Sequence, residues 1–194
     1  MPEAILIYAA GFGTRMGSLT SNRPKALIEV GGRPMLDGVI ADARAARLSR
    51  IVVNAHYLAD QITSHLTGQD VVVSHETPEI LETGGGLKAA LPLLGDGPVM
   101  TANSDAIFAG PNPMAELASA GLAEGAEANL LLVPLDRAVG RKGGGDFSLA
   151  PDGRLTRGGD YVYTGIQIIR TDHVLHWPEA VSYTHLTLPT NREV

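Results

Sequence analysis

The chain has 194 residues, of which 44% are hydrophobic, and a formal net charge of -6. This length is enough for one domain with a sizeable core, and the acidic balance argues against nucleic acid as the main partner. The absence of Cys excludes disulfides, zinc–thiolate sites and thiol catalysis. We recognise no signal peptide and no membrane-spanning run, so we expect a cytoplasmic protein without a membrane partner.

The predicted elements alternate between strands and helices along the chain. In chain order, we predict a strand at 4–8, a loop at 11–17, a short strand at 26–30, a helix from Pro34 to about Leu48, a strand at 51–53, a helix at 58–66, a strand at 71–73, a helix at 84–94 capped by Thr83, a strand at 98–102, a helix at 113–120, and strands at 129–133, 146–149 and 161–169. This alternation predicts an α/β fold with a Rossmann-like mixed, mostly parallel sheet that is covered by helices on both faces. We expect a single domain over residues 1–180.

The first informative motif is a glycine-rich loop directly behind the first strand, Ala-Ala-Gly-Phe-Gly-Thr-Arg-Met at 9–16. Gly11 and Gly13 let the backbone N–H groups approach an anion closely. Arg15 adds a forked cationic donor that suits phosphate, and Lys25, behind Pro24, adds a second cation. The motif therefore predicts a phosphate-binding loop, with a plain glycine-rich turn as the structural alternative.

Two better-known phosphate loops fit this segment less well. A dinucleotide-binding loop needs Gly at its first, third and sixth positions, but the sixth position here is Met16 and Gly17 is one residue late. A P-loop needs Gly-Lys followed by Ser or Thr, and that sequence is absent.

Two further motifs follow later strands. The triplet Gly84–Gly86 is costly at a helix start, since each Gly disfavours helix by about 1 kcal/mol, so it indicates either a flat ligand against the backbone or tight helix–strand packing. Asn103 and Asp105 follow the strand at 98–102. A carboxylate at such a strand end is well placed for Mg²⁺, which favours oxygen ligands; an Asx turn is the alternative.

Together, the glycine-rich loop, Pro-Lys and the Asn-Ser-Asp triplet resemble the signature of the sugar-1-phosphate nucleotidyltransferases. The resemblance implies a catalytic group formed by Arg15, Lys25 and Asp105, with Mg²⁺ held by Asp105. It implies that the following residues bind the nucleotide: Ala10, Gly11, Gly13, Thr14, Arg15, Lys25, Glu82, Thr83, Gly84 and Asn103. One departure is Gly17-Ser18-Leu19-Thr20, where relatives often have Arg-Pro-Leu-Thr, so this loop has one positive charge fewer.

The resemblance also implies a sugar-phosphate site. Its residues would be Gly143 and Asp146, in a Gly-acidic-Phe segment, and Thr164 and Gly165, in a Thr-Gly-Ile segment. A glycine hairpin and a strand bulge explain these two segments equally well. The partners implied are a nucleoside triphosphate and a sugar-1-phosphate; the sequence does not indicate the oligomeric state.

Three segments narrow the resemblance within the family: Leu-Glu-Thr-Gly-Gly-Gly at 81–86, Leu-Pro-Leu-Leu-Gly-Asp at 91–96 and Gly-Gly-Asp-Phe at 144–147. They resemble the uridylyltransferases that act on N-acetylmuramate α-1-phosphate, use UTP and belong to a peptidoglycan recycling route. Mannose-1-phosphate guanylyltransferases and glucose-1-phosphate uridylyl- or thymidylyltransferases are the nearer alternatives. A non-catalytic nucleotide-binding module is a second class, and a dinucleotide-dependent oxidoreductase, disfavoured by the position of Gly17, is a third.

The last segment of the chain, residues 181–194, continues none of the earlier patterns and resembles a translated sequencing adaptor. We therefore expect native sequence to stop near Ala180. The family resemblance implies a further Trp-x-Asp-Val-Gly-Thr-like stretch that supplies a second metal carboxylate, and this stretch is missing. We expect the truncated chain to be inactive or weak, and rejoining the correct coding sequence to restore turnover.

Overall fold

The structure is a computed structural model that describes residues 1–177; the predicted domain end near Ala180 and the tail at 181–194 lie outside the described residues. The strands are β1 (Ala4–Tyr8), β2 (Glu29–Val30), β3 (Arg33–Pro34), β4 (Arg50–Ala55), β5 (Val72–His75), β6 (Val99–Asn103), β7 (Ala128–Pro134), β8 (Phe147–Leu149), β9 (Leu155–Arg157) and β10 (Tyr161–Ile169). The α-helices are α1 (Met35–Ala45), α2 (Ala59–Leu66), α3 (Glu82–Leu94) and α4 (Pro113–Ala120).

One large sheet organises the domain, with the strand order β5-β4-β1-β6-β10-β8-β9 and with β7 paired to β10. Strands β5, β4, β1 and β6 are parallel, whereas β10 runs antiparallel to β6 and begins an antiparallel edge formed by β7, β8 and β9. The mixed α/β fold predicted from the sequence is confirmed. The carboxyl ends of the parallel strands share one edge of the sheet, which is where ligands bind in such folds.

Strand β1 lies at the centre of the sheet and contributes side chains to both of its faces. Ile5 and Ile7 pack in a cluster with residues of α1, α2 and α4, whereas Leu6 packs in a second cluster with residues of α3. All three side chains are fully buried. A strand covered on both faces is continuously apolar rather than alternating, which explains the run Ala-Ile-Leu-Ile at its start.

Beyond shifts of up to three residues at element ends, such as α1 ending at Ala45 rather than near Leu48, the predicted and observed elements differ in three places. Helix α3 begins at Glu82 with Leu81 as its N-cap residue, so Thr83 lies in the first turn and is not the cap. The stretch at 26–30 is a 3-10 turn, Lys25–Leu27, followed by β2, which forms a small hairpin with β3 outside the main sheet. Strand β9 was not predicted, because three residues with one apolar side chain give no periodic signal.

A buried hydroxyl gives a stability prediction. Thr101 of β6 is fully buried, and within residues 1–177 its Oγ1 is the buried side-chain polar atom without a hydrogen-bond partner. Because burying an unpaired hydroxyl costs about 1–3 kcal/mol, Thr101→Val should raise the free energy of unfolding by about 1 kcal/mol in urea titrations.

Thr20→Val is the matched control for that substitution. Thr20 is also buried, but its hydroxyl donates to the Gly13 carbonyl at 3.0 Å. This variant should therefore lose about 1 kcal/mol. A loss of stability in Thr101→Val of similar size would contradict the prediction.

Candidate functional site

A cavity opens at the carboxyl ends of the parallel strands. It is lined by Tyr8, Ala9, Ala10, Gly11, Gly13, Thr14, Arg15, Lys25, Ala26, Asn54, Glu76, Ile80, Glu82, Thr83, Asn103, Ser104 and Asp105. Every residue expected to bind the nucleotide lines this cavity except Gly84, which is buried in α3. The three expected catalytic residues are all among the lining. The structure thus brings together residues as far apart in the sequence as Tyr8 and Asp105, as the position of their segments at strand ends predicted.

The bend behind β1 depends on Gly13. This residue has φ of +65° and is followed by a 3-10 turn, Thr14–Thr20, whose Met16 N–H donates to the Gly13 carbonyl at 2.9 Å. A Cβ atom at position 13 would lie 2.8 Å from Thr20 Cγ2 and 3.1 Å from Lys25 Cβ. The absence of a side chain at Gly13 therefore lets the bend close against Thr20 and Lys25, which places the lysine at the cavity wall.

An ion pair crosses the cavity. Lys25 Nζ donates to Asp105 Oδ2, and the two side chains are 28% and 35% exposed. The end of β6 is held beside the end of β1 because the Ser104 N–H donates to the Tyr8 carbonyl at 3.2 Å. The second cation, Arg15, lines the same cavity from the 3-10 turn. Two cations and the carboxylate thus line one cavity at the sheet edge.

Glu76 is the principal site feature that the sequence argument missed. It follows β5 and is 1% exposed. Its Oε1 accepts from Asn54 Nδ2 at 2.7 Å, and its Oε2 accepts from the Leu81 N–H at 2.8 Å. Burial raises the pKa of this carboxyl above its ordinary value of 4.5, although these two hydrogen bonds and nearby His56 act in the opposite direction. A carboxylate directly after a strand, the same signal that identified Asp105, would have pointed to it.

The glycine triplet of α3 has a packing explanation at one position. A Cβ atom at Gly86 would lie 2.6 Å from Glu76 Oε1 and 2.9 Å from Asn54 Nδ2. Tight packing, one of the two explanations offered for the triplet, therefore applies at Gly86.

None of the four residues expected at a sugar-phosphate site lines the cavity. Asp146 pairs with Arg141 at 2.6 Å and accepts from the Tyr163 N–H at 3.0 Å. Thr164 Oγ1 donates to the Leu131 carbonyl at 2.9 Å, and Gly143 is an exposed loop residue. The side chains of Asp146 and Thr164 therefore make their hydrogen bonds at the antiparallel edge of the sheet and not in the cavity.

Gly165 is the member of that set which adjoins the cavity. It lies where the register between β10 and β7 shifts, with φ of +84°, and a Cβ atom there would be 2.5 Å from Asn103 Nδ2. The strand-bulge interpretation of this segment accounts for the glycine. The bulge brings the antiparallel edge against Asn103, at the rim of the cavity.

The donor set at the cavity suits a hard cation with few protein ligands. Among residues 1–177, no group of three His, Cys, Asp or Glu side chains has metal-binding geometry. Asp105 offers a half-exposed carboxylate next to Asn103 and Ser104. Mg²⁺ commonly binds through one or two carboxylates while waters and substrate phosphates fill its other positions, so these residues fit it.

The sequence matches the family model described as the MobA-like NTP transferase domain over residues 5–180. The chain belongs to this family. The sequence-based assignment to the nucleotidyltransferases is thereby confirmed, and the glycine-rich bend lies inside the matched region.

Two relatives carry the same name, N-acetylmuramate α-1-phosphate uridylyltransferase. The Caulobacter vibrioides protein is 38% identical over 193 residues, covering 92% of this chain and 79% of the relative. The Neisseria meningitidis protein is 33% identical over 176 residues, covering 86% of this chain and 75% of the relative. A bifunctional protein GlmU from Chromobacterium violaceum is 35% identical over 78% of this chain and 31% of that protein.

Solved structures show the same fold. HddC from Yersinia pseudotuberculosis, in complex with GMP-PN, aligns with a TM-score of 0.76 at 20% identity, over 97% of this chain and 86% of that chain. The inositol-1-phosphate CTP transferase from T. maritima aligns with a TM-score of 0.73 at 17% identity, over 96% and 80% of the two chains. Within the described part of the chain, no helix has both the length and the apolarity needed to cross a bilayer.

Gly13→Ala tests the closed bend. Gly31→Ala is the matched control, because Gly31 has nearly the same φ, +64°, and a Cβ there would meet nothing within 4 Å. We expect Gly31→Ala to lose about 1 kcal/mol of unfolding free energy from backbone strain, and Gly13→Ala to lose about 1–3 kcal/mol more through displacement of Thr20 and Lys25. Equal losses of unfolding free energy in the two variants, measured by urea unfolding, would show that the bend does not depend on the absence of a side chain at Gly13.

The raised pKa of Glu76 predicts a pH dependence of stability. A carboxyl whose pKa is higher in the folded state stabilises the fold below its unfolded value near 4.5, and that contribution is lost as the pH rises through the folded value. Gln at this position does not titrate. As the pH falls from 7 to 4.5, the unfolding free energy of the wild type should therefore rise relative to that of Glu76→Gln. If the difference in unfolding free energy between the two proteins does not change with pH, the pKa of Glu76 is not raised in the folded state.

Proposed function

We propose that the protein transfers a uridylyl group from UTP to N-acetylmuramate α-1-phosphate, releasing pyrophosphate. The observation that carries the proposal is the meeting of the glycine-rich bend, Lys25 and Asp105 in one cavity. The choice of substrate draws on the two N-acetylmuramate α-1-phosphate uridylyltransferases, which are 38% and 33% identical to this chain. As part of the same proposal, the product would enter a peptidoglycan recycling route in the cytoplasm.

The chemistry requires no protein nucleophile. A phosphate oxygen of the sugar phosphate attacks the α-phosphorus of UTP, and a new P–O bond forms. The bond from the α-phosphorus to the oxygen that bridges it to the β-phosphorus breaks in line, and pyrophosphate leaves with the electron pair. Catalysis in such a transfer consists mainly of positioning the phosphates and neutralising their charge.

In the proposal, groups of this chain both position the phosphates and neutralise their charge. The backbone N–H groups around Gly11, Gly13 and Thr14 bind the triphosphate, as exposed amides in a glycine-rich bend do for anions. Arg15 and Lys25 neutralise the charge that develops on the leaving pyrophosphate.

Asp105 is proposed to hold Mg²⁺, which when bound supplies positive charge to the phosphate oxygens. Asp105 is paired with Lys25. A triphosphate would offer the Lys25 ammonium group a stronger anionic partner, and the Asp105 carboxylate would then be available to hold the cation.

The remaining residues are proposed to contact the other parts of the substrates. Glu82, Thr83 and Gly84 at the start of α3 would contact the nucleobase, and Asn103 the nucleotide. The sugar phosphate would bind towards the antiparallel edge, with Gly165 beside Asn103. Contacts from Gly143, Asp146 and Thr164 would require the sugar phosphate to extend beyond the present cavity.

The substrate assignment is tested, on the chain rejoined to its correct coding sequence, by a screen of the four nucleoside triphosphates against a panel of sugar-1-phosphates, with pyrophosphate as the readout. GTP and mannose-1-phosphate belong in the panel because a mannose-1-phosphate guanyltransferase of Aspergillus oryzae is 35% identical over 68% of this chain and 37% of that protein. Highest turnover with UTP and N-acetylmuramate α-1-phosphate is expected. Binding of nucleotide without pyrophosphate release in the whole panel would favour a non-catalytic module.

Asp105→Asn tests the proposed metal ligand while preserving the volume of the side chain. Losing one charge of this kind should lower pyrophosphate release about hundredfold or more, and should abolish the strengthening of UTP binding by Mg²⁺ in calorimetric titrations. Asp152→Asn is the control, since Asp152 is 57% exposed and pairs with Arg154 outside the cavity. If Asp105→Asn retains Mg²⁺-dependent binding of UTP, Asp105 does not hold the metal.

A further inference from the structure

A chain of buried hydrogen bonds joins the two sides of the cavity. The Ala9 N–H, just before the glycine-rich bend, donates to Asn54 Oδ1 at 2.7 Å. Asn54 Nδ2 donates to Glu76 Oε1 at 2.7 Å. Glu76 Oε2 accepts from the N–H of Leu81, the N-cap residue of α3, at 2.8 Å. The two bridging side chains are 2% and 1% exposed.

The two groups at the ends of this series of hydrogen bonds fix which atoms between them donate and which accept. Both ends are backbone N–H groups, so each needs an acceptor, and one donor must lie between the two bridging side chains. An amide beside the bend and a carboxylate beside α3 meet that requirement, with one Asn54 N–H in the centre. Any buried group left without a partner is expensive.

The helix is shaped around the same pair. Gly86 of α3 faces the Asn54–Glu76 contact so closely that a Cβ atom there would overlap both side chains, at 2.9 and 2.6 Å. The structure therefore brings α3 down onto this contact. The carboxylate of Glu76 therefore fixes the position of the first turn of α3.

We propose that Asn54 and Glu76 are positioning residues that set the distance between the glycine-rich bend at 9–16 and the first turn of α3, and thereby the affinity for nucleoside triphosphate. The affinity part of this inference rests on the proposed function, since it takes UTP as the nucleotide. Neither side chain acts on the reacting atoms. Each holds a backbone segment that lines one side of the cavity, so the phosphate-binding and base-contacting segments move as one unit.

The donor order suggests a swap that tests the proposal. In Asn54→Asp, two carboxylates face each other across 2.7 Å. In Glu76→Gln, two N–H donors face each other at one of the three hydrogen bonds, because no acceptor is left for one of them. The double variant restores every bond: Asp at 54 accepts from Ala9 and from the new amide, and Gln at 76 accepts from Leu81. The double variant keeps the charge and nearly the volume of the original pair.

Two measurements follow the swap. Hydrogen exchange of the ligand-free chain should become faster in both single variants, at the bend and at residues 81–86 together, and return to the wild-type rates in the double variant. In calorimetry with UTP and Mg²⁺, each single variant should weaken binding about tenfold or more. The double variant should recover to within about twofold of wild type, because groups in contact are strongly non-additive.

Asn112→Ala is the control for general loss of stability. Asn112 also bridges two elements through its amide, accepting from the Met114 and Ala115 N–H groups and donating to the Asp42 carbonyl. Exchange in this variant should rise at α4 while UTP affinity is retained. If Asn112→Ala weakens UTP binding as much as the single variants do, loss of stability explains their effect and the proposal is wrong.

Two other results would overturn the proposal. The first is a double variant in which the two single defects simply add. The second is faster exchange in only one of the two segments, which would show that they are not linked. Failure of the wild-type chain to bind UTP would contradict the proposed uridylyl transfer instead, and the exchange measurements would still decide whether the two segments are coupled.

Discussion

The contact between Lys25 and Asp105 is the constraint on which the site depends, because it joins two segments that lie 80 residues apart in the sequence. It exists because β1 and β6 are neighbouring parallel strands, with Tyr8 in register with Asn103. The segment after each strand therefore leaves the sheet at the same edge. The sheet topology thus brings a cation on one strand's loop beside a carboxylate on the other's, which is the arrangement that the proposed phosphate site requires.

Local backbone geometry then decides where the cation lies. The left-handed conformation of Gly13 turns the chain, and the missing side chain leaves room for Thr20 and Lys25 to pack against the turn. The lysine is presented by a short 3-10 turn rather than by a long flexible loop. A preorganised cation of this kind stabilises charge on a phosphate without much rearrangement during the reaction.

The sequence predicted best the features that are local and periodic. Helix α4 has a Pro at its first turn and Asn112 as a cap for Met114 and Ala115, so its bounds were predicted correctly. The long apolar strand β10 was also predicted with its observed bounds. The first turn of α3 was misplaced by two residues because Thr83, a favoured cap residue, lies beside a backbone conformation that the sequence does not reveal: Glu82 has φ of +59°.

Features that depend on long-range contacts were less accessible to sequence reasoning. The position of Glu76 directly after a strand marks it as a candidate, but only the fold shows that Asn54 and Leu81 converge on it in the interior. The segments with Asp146 and Thr164 carry recognisable motifs, but their side chains bond to Arg141 and to the neighbouring strand. A motif identifies which residues are present, whereas tertiary pairing decides which of them face the cavity.

The central claim is that the bend and Asp105 together hold a nucleoside triphosphate with its metal ion. Paramagnetic broadening by Mn²⁺, used in place of Mg²⁺, tests it directly without requiring turnover. With UTP present, the amide resonances of residues 11–15 and 103–105 should broaden most strongly, and without UTP the effect at 11–15 should be much weaker. Broadening centred elsewhere in the chain, or unchanged by UTP, would contradict the account.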